Sequence, residues 1–138
     1  MTIPKQAQAK SILVVEDDEA SQYILRTILD YVGYRTLTAS TAAAATRILN
    51  DSPPDLVVMD IGLPGVDGFA LTEAIRNDPR TRDLPVLVVT VHVFPDDVRR
   101  AVQAGCTEFL AKPVDPMTVV EHVKALIGPP VAVGGASA

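Results

Sequence analysis

The segment Asp55-Leu-Val-Val-Met-Asp60-Ile-Gly62-Leu-Pro64-Gly65-Val-Asp67-Gly68 constrains the fold more than any other part of the chain. Leu56 to Met59 is an unbroken apolar run. A short Val-rich run bounded by turn residues is the pattern of a strand buried on both faces, as in a parallel sheet. The run stops on Asp60, and a loop containing Pro64, Gly65 and Gly68 follows. Open α/β sheets bind ligands outside the carboxyl ends of their strands. A carboxylate at that point is placed for chemistry rather than for packing.

The rest of the chain repeats the theme. Ser11–Val15 and Val86–Val89 read as buried strands, Thr107–Ala111 as a shorter one, and Tyr34–Ala39 alternates as a half-exposed edge strand should. Helical stretches separate them. The first carries Ile24, Leu25, Ile28, Leu29 and Val32 as its apolar face, with Asp18 as N-cap and Gly33 as stop. Ser40 is expected to cap an Ala-rich helix, Asp67 a helix over Phe69 to Arg76, and Asp115 the last helix, whose stripe is Val119, Val120, Val123, Leu126 and Ile127. Pro95 opens the fourth helix and Gly105 closes it. Five strand–helix alternations predict a doubly wound α/β sandwich on a parallel sheet. The domain is expected over residues 11–128, between a flexible leader (1–10) and a disordered tail (129–138).

Composition narrows the function classes. With only 4% aromatic residues, the core must be built from Val, Leu, Ile and Ala. A net charge of −5 argues against nucleic acid or an anionic membrane as direct partner. No apolar run reaches the roughly 18 residues of a membrane span, and no signal-peptide pattern opens the chain. Cys106, the sole cysteine, excludes an internal disulfide, fits a reducing cytoplasmic compartment, and reads as a small hydrophobe rather than a nucleophile.

The four strands expected to be buried end in Glu16 with Asp17, in Asp60, in Thr90 and in Lys112. Parallel strands put these ends on one rim. Three carboxylates and one ammonium repel unless a cation joins them or a pKa rises. Mg²⁺ suits the set, because it takes one or two carboxylates and completes its octahedron with water and phosphate oxygens. A carboxylate, a lysine, a hydroxyl and Mg²⁺ make an apparatus for phosphoryl transfer.

Four motifs, Val-Val-Glu16-Asp17-Asp18, Met-Asp60-Ile-Gly-Leu-Pro64-Gly65-Val-Asp67-Gly68, Val-Val-Thr90 and Ala-Lys112-Pro113, stand in one order and spacing. Together they resemble the receiver domain of two-component response regulators over about Ser11 to Ile127. The resemblance implies a flavodoxin-like (βα)5 fold with strand order 2-1-3-4-5. It implies Asp60 as phosphoacceptor, with Mg²⁺ held by Asp17, Asp60, the Gly62 carbonyl and, through water, Glu16. Thr90 would hydrogen-bond the acyl phosphate, Lys112 would pair with it, and Pro113 would follow a cis peptide. Thr90 and Phe109 would form the switch, Thr90 turning inward on phosphorylation and the aromatic following.

Two positions depart from the family pattern. Val91 stands where Ala or Gly is usual and should narrow access to the phosphoryl group. Phe109 replaces tyrosine, so the switch aromatic carries no hydroxyl. Gly62 and His92, each two residues past a site residue, can tune attack by water.

The implied role is a phosphorylation-dependent switch rather than an enzyme. A histidine kinase or histidine phosphotransfer protein would phosphorylate it, and a downstream protein would read it, the chain being a monomer or a weak phosphorylation-dependent dimer. The family's usual signalling face would here include Val98, Ala101, Val102, Phe109 and Val119. Competing readings are an interaction module independent of phosphate and a receiver fragment of a hybrid kinase. Arg99 and Arg100 read as a solvated helix face, and His122 has no partner in view.

Overall fold

A computed structural model describes residues 8–63 and 68–131. Pro64, Gly65 and the expected cap Asp67, the tail from residue 132 and the leader through residue 7 lie outside the described residues. Among the described residues ten elements alternate: β1 (Ser11–Val15), α1 (Glu19–Val32), β2 (Arg35–Ala39), α2 (Ala42–Asp51), β3 (Leu56–Met59), α3 (Gly68–Asn77), β4 (Val86–Thr90), α4 (Pro95–Ala104), β5 (Glu108–Ala111) and α5 (Pro116–Ile127). The sheet has the order β2-β1-β3-β4-β5, and every neighbouring pair is parallel. This is the doubly wound sandwich that the alternation of patterns predicts.

The apolar runs are unbroken because β1, β3 and β4 are buried at every residue. Successive side chains leave a strand on opposite faces, so each run feeds two cores. Leu13, Val15, Val57, Met59, Val86 and Val88 pack with residues of α2, α3 and α4. Ile12, Val14, Leu56, Val58, Leu87 and Val89 pack with Leu25 and Leu29 of α1 and with Val119, Val120 and Val123 of α5.

β5 differs from the expectation of a buried strand. It is half-exposed, because among the described residues it is the sheet's edge and pairs only with β4. Ile24 also leaves the expected apolar face, being 49% exposed. Adjacent helical residues point about 100° apart, and Leu25, with Leu29, takes the direction of the sheet.

Most helix ends follow the local chemistry. The Asp18 carboxylate accepts from Ser21 N–H at 2.9 Å, and Asp115 from Met117 N–H at 2.8 Å. Gly33 and Gly105 close α1 and α4 in left-handed conformations, with φ of 117° and 105°. The cap of α2 is Thr41 rather than Ser40. Thr41 has the extended backbone a cap needs, and its hydroxyl accepts from Ala44 N–H at 3.1 Å. Ser40 lies one residue too early and instead accepts from the Gln22 side chain at 3.3 Å. Among the described residues no helix is long and apolar enough to cross a membrane.

Candidate functional site

Strand order brings the site together. β1 has β2 on one side and β3 on the other, so the loops after β1 and β3 diverge and leave a crevice at the carboxyl edge. The ladder extends one residue past each strand there: Glu16 N–H donates to Ala39 O at 2.9 Å, Asp60 N–H to Val15 O at 3.0 Å and Lys112 N–H to Thr90 O at 2.8 Å. Backbone pairing therefore sets the positions of Glu16, Asp60 and Lys112 before any side chain interacts.

Asp60 is held from three sides. Thr90 Oγ1 donates to its Oδ1 at 2.8 Å, Gly62 N–H donates to the same oxygen at 2.9 Å, and Lys112 Nζ donates to Oδ2 at 3.2 Å. Lys112 also donates to Glu16 Oε1 at 2.5 Å, and Asp18 N–H reaches Glu16 Oε2 at 3.3 Å. Thr90 is fully buried and Glu16 is 2% exposed. The Lys112–Pro113 peptide is cis, as the resemblance implies.

These contacts separate the two acids. Burial by itself would raise the Asp60 pKa, but Gly62 N–H, the Thr90 hydroxyl and Lys112 outweigh it and hold the carboxyl below its ordinary value. Burial pushes Glu16 up despite Lys112 and Asp18 N–H, and the Asp60 charge pushes the same way. Burial would lower Lys112, but its two carboxylate partners hold it above the ordinary lysine value. Near neutrality Asp60 is an anion facing an ammonium, which is the ionisation a nucleophilic carboxylate requires.

The raised Lys112 pKa gives a testable pH dependence. Its ammonium contributes its full stability below the unfolded value of about 10.4, and that contribution is lost as pH rises through the higher folded value. Urea unfolding of wild type and Lys112→Met should therefore differ near neutrality, with the difference shrinking in the alkaline range. A difference that stays constant to the alkaline limit would contradict this account.

The remaining expected site residues are spread around this centre. Asp17 is exposed at the rim, and no described residue hydrogen-bonds its carboxylate. Among the described residues no three His, Cys, Asp or Glu side chains form a ready-made metal cage. Phe109 is half-buried against the core and lies opposite Val88 in the sheet. Val91 is 61% exposed. It lines an apolar cleft with Ile24, Pro113 and Val119, and this cleft reaches Lys112. His92 stands over Gly62. Of the expected signalling face, Ala101 and Val119 belong to the core, whereas Val102 is 61% exposed.

Some contacts went unread in the sequence. Gly62 serves Asp60 through its N–H, and His92 N–H donates to Thr90 Oγ1 at 3.1 Å. The local signal for both is a side-chain oxygen facing the N–H two residues on, as in Asx and Ser/Thr turns. His122 has a partner, Glu108 Oε1 at 2.5 Å from Nδ1. The guanidinium of Arg100 lies 4.2 Å from the centroid of the Phe69 ring, so it is not merely solvated. Cys106 is half-buried against the core and its thiol is pushed up by burial, which suits an unreactive hydrophobe.

A family model, the response regulator receiver domain, matches residues 12–124. The chain belongs to this family. Among relatives of the receiver, the polar-differentiation response regulator DivK of Brucella ovis is 32% identical over 119 residues, covering 86% of this chain and 97% of DivK. The signal receiver domain of a signal transduction histidine kinase from Syntrophus aciditrophicus has a TM-score of 0.81 and 34% identity, covering 86% of this chain and 90% of that one. The receiver domain of sensor histidine kinase PA1611 from Pseudomonas aeruginosa PAO1, solved with magnesium in its active-site cleft, has a TM-score of 0.81 and 29% identity, covering 87% and 98%. Receiver domains are signalling domains, and this chain has both their fold and a carboxylate at the expected strand end.

Proposed function

We propose that Asp60 accepts a phosphoryl group from a phosphohistidine of a partner kinase or phosphotransfer protein, and that this modification switches binding to a downstream protein. The observation that carries the reading is the Asp60 carboxylate itself, ionised at the sheet's carboxyl edge and held by Thr90 Oγ1 at 2.8 Å and Lys112 Nζ at 3.2 Å. An Asp60 oxygen attacks phosphorus and forms the acyl phosphate. The bond from phosphorus to the donor's imidazole nitrogen breaks, and its electron pair stays on the ring. Lys112 and the Thr90 hydroxyl stand where they can turn from the carboxylate to the new phosphoryl oxygens.

The donor chemistry suits Mg²⁺. Glu16, Asp17 and Asp60 offer hard oxygens around one lysine, and the site is open rather than caged, as expected for an ion that keeps several waters. Asp17, Asp60 and the Gly62 carbonyl would hold it, with Glu16 behind them. Bound there, the ion would neutralise charge on the phosphoryl oxygens. Thr90 already donates to Asp60, so the switch on this reading begins when that hydroxyl transfers to the phosphoryl group, and Phe109 repacks behind it. The single cysteine, Cys106, supports a reducing, cytoplasmic setting.

Intact mass after incubation with acetyl phosphate tests the reading. Wild type should gain one phosphoryl group only when Mg²⁺ is present, and Asp60→Asn should gain none. An unmodified wild type, or an equally modified variant, would sink the proposal.

A further inference from the structure

Asp17 is the site acid whose carboxylate no described residue hydrogen-bonds, so its place depends on the backbone on either side of it. Its neighbour Glu16 is held at every polar group. Glu16 N–H donates to Ala39 O at 2.9 Å, Oε1 accepts from Lys112 Nζ at 2.5 Å, and Oε2 accepts from Asp18 N–H at 3.3 Å. Its carbonyl accepts from Gln22 Nε2 at 2.9 Å. That carbonyl belongs to the peptide linking Glu16 to Asp17. The backbone N–H of Gln22 donates to Asp18 O at 2.9 Å, the carbonyl of the residue after Asp17. Residue 22 therefore grips the chain on both sides of Asp17. Its carboxamide makes one more bond, to Ser40 Oγ at 3.3 Å, next to the Ala39 whose carbonyl receives Glu16 N–H. The end of β1, the first turn of α1 and the end of β2 are thus fastened together around the acidic loop. A carbonyl only accepts, so this place needs a donor, and the amide supplies two N–H groups.

We propose that Gln22 is a positioning residue for Mg²⁺, its carboxamide fixing the Glu16–Asp17 peptide so that the Asp17 carboxylate is ordered before the ion arrives. The inference rests on Asp17 and Asp60 being the acids that hold the ion. Gln22 itself touches neither the ion nor the phosphoryl group. Without its amide, ordering of the loop must be drawn from the free energy of ion binding, and the affinity falls by that amount. Groups that orient a metal's ligands commonly change its affinity by about 10- to 100-fold when removed. With the ion bound the loop is ordered in either case, so the chemistry at Asp60 proceeds alike.

Calorimetric titration with MgCl₂ tests this on wild type, Gln22→Met, Ser40→Ala and the pair, alongside the Mg²⁺ dependence of labelling by acetyl phosphate. Gln22→Met keeps the length of the side chain and removes both donors. It should weaken Mg²⁺ binding about ten-fold and raise the Mg²⁺ concentration for half-maximal labelling by the same factor. The labelling rate at saturating Mg²⁺ should stay within about two-fold of wild type, a split that general destabilisation would not produce. Ser40→Ala should weaken binding about two-fold, the effect of one weak hydrogen bond, and add nothing when residue 22 is methionine. Unchanged affinity in Gln22→Met, a fall in the saturating rate without a shift in half-saturation, or strictly additive effects would overturn the proposal while leaving Asp60 as acceptor. Should Gln22→Met not fold, Ser40→Ala decides alone, and wild-type affinity there would overturn it as well. A wild type that binds no Mg²⁺ would overturn both this inference and the metal site on which it rests.

Discussion

Alanine in place of Arg76 should lower the stability of the fold by about 3 kcal/mol, one of the largest losses expected from a residue outside the apolar core. Arg76 lies in the last turn of α3 and spreads its guanidinium across three other segments. Nε donates to Gly105 O at 2.9 Å, Nη1 to Leu84 O at 2.6 Å and to Arg82 O at 3.1 Å, and Nη2 to Thr107 Oγ1 at 3.3 Å. One side chain therefore fastens the end of α4, the approach to β4 and the start of β5. Burial draws its pKa below the ordinary arginine value, yet arginine remains a cation at any working pH. A hydrogen bond to a charged group contributes about 1.5–3 kcal/mol, and a buried carbonyl left without a donor costs about 1–3 kcal/mol. The bonds at the rim contribute less, which brings the expectation to the figure above. Urea unfolding should show a lower midpoint with an unchanged slope. Arg76→Lys should recover only part of the loss, because an ammonium has no planar fork to reach separate carbonyls. A midpoint equal to wild type would refute this role.

Alanine at Gly68 should slow labelling of Asp60 by up to about 100-fold, the scale of a 1 Å misplacement at a reacting group. Gly68 opens α3 and is packed against Ile61, the residue that follows Asp60. A Cβ there would stand 2.5 Å from Ile61 Cα and 3.2 Å from Asp60 O. The obstacle is backbone rather than a movable side-chain tip. It is also anchored on both sides, since Gly68 N–H donates to Ile61 O at 3.0 Å and Asp60 N–H to Val15 O at 3.0 Å. The methyl must move either α3 or the Asp60–Ile61 peptide, and overpacking of this kind typically costs about 1–3 kcal/mol. The rate of labelling by acetyl phosphate and the urea midpoint should therefore fall together. Wild-type labelling by Gly68→Ala would show that the chemistry proposed for Asp60 does not depend on this contact.

The two predictions rest on contacts of different legibility. The glycine could be flagged from the sequence as a loop residue near Asp60, but the reason for it, the approach of Ile61, depends on where α3 lands. Nothing local marks Arg76 as more than the end of a helix face. The same holds for His122 with Glu108 and for Arg100 over Phe69, each joining segments that are distant in the chain or on separate elements. Ser40 and Thr41 are both good caps by composition. Only the backbone path selects Thr41.

What the sequence by itself determined was the set of elements, their order, the double-faced burial of β1, β3 and β4, and the residues at the strand ends. These follow from short-range rules: side-chain period, turn chemistry, and the need of an apolar run to be covered on both faces. The site was legible for the same reason, because parallel strands bring their carboxyl ends to one edge whatever their other contacts. Tertiary structure decided the rest: that β5 is the half-exposed edge, that Ile24 faces a cleft, that Lys112 bridges Glu16 and Asp60, and that His92 fills the space above Gly62. Each depends on distances of a few ångströms between segments whose separation along the chain carries no information about their separation in space. Long-range packing sets those distances, and the period of a pattern does not encode them.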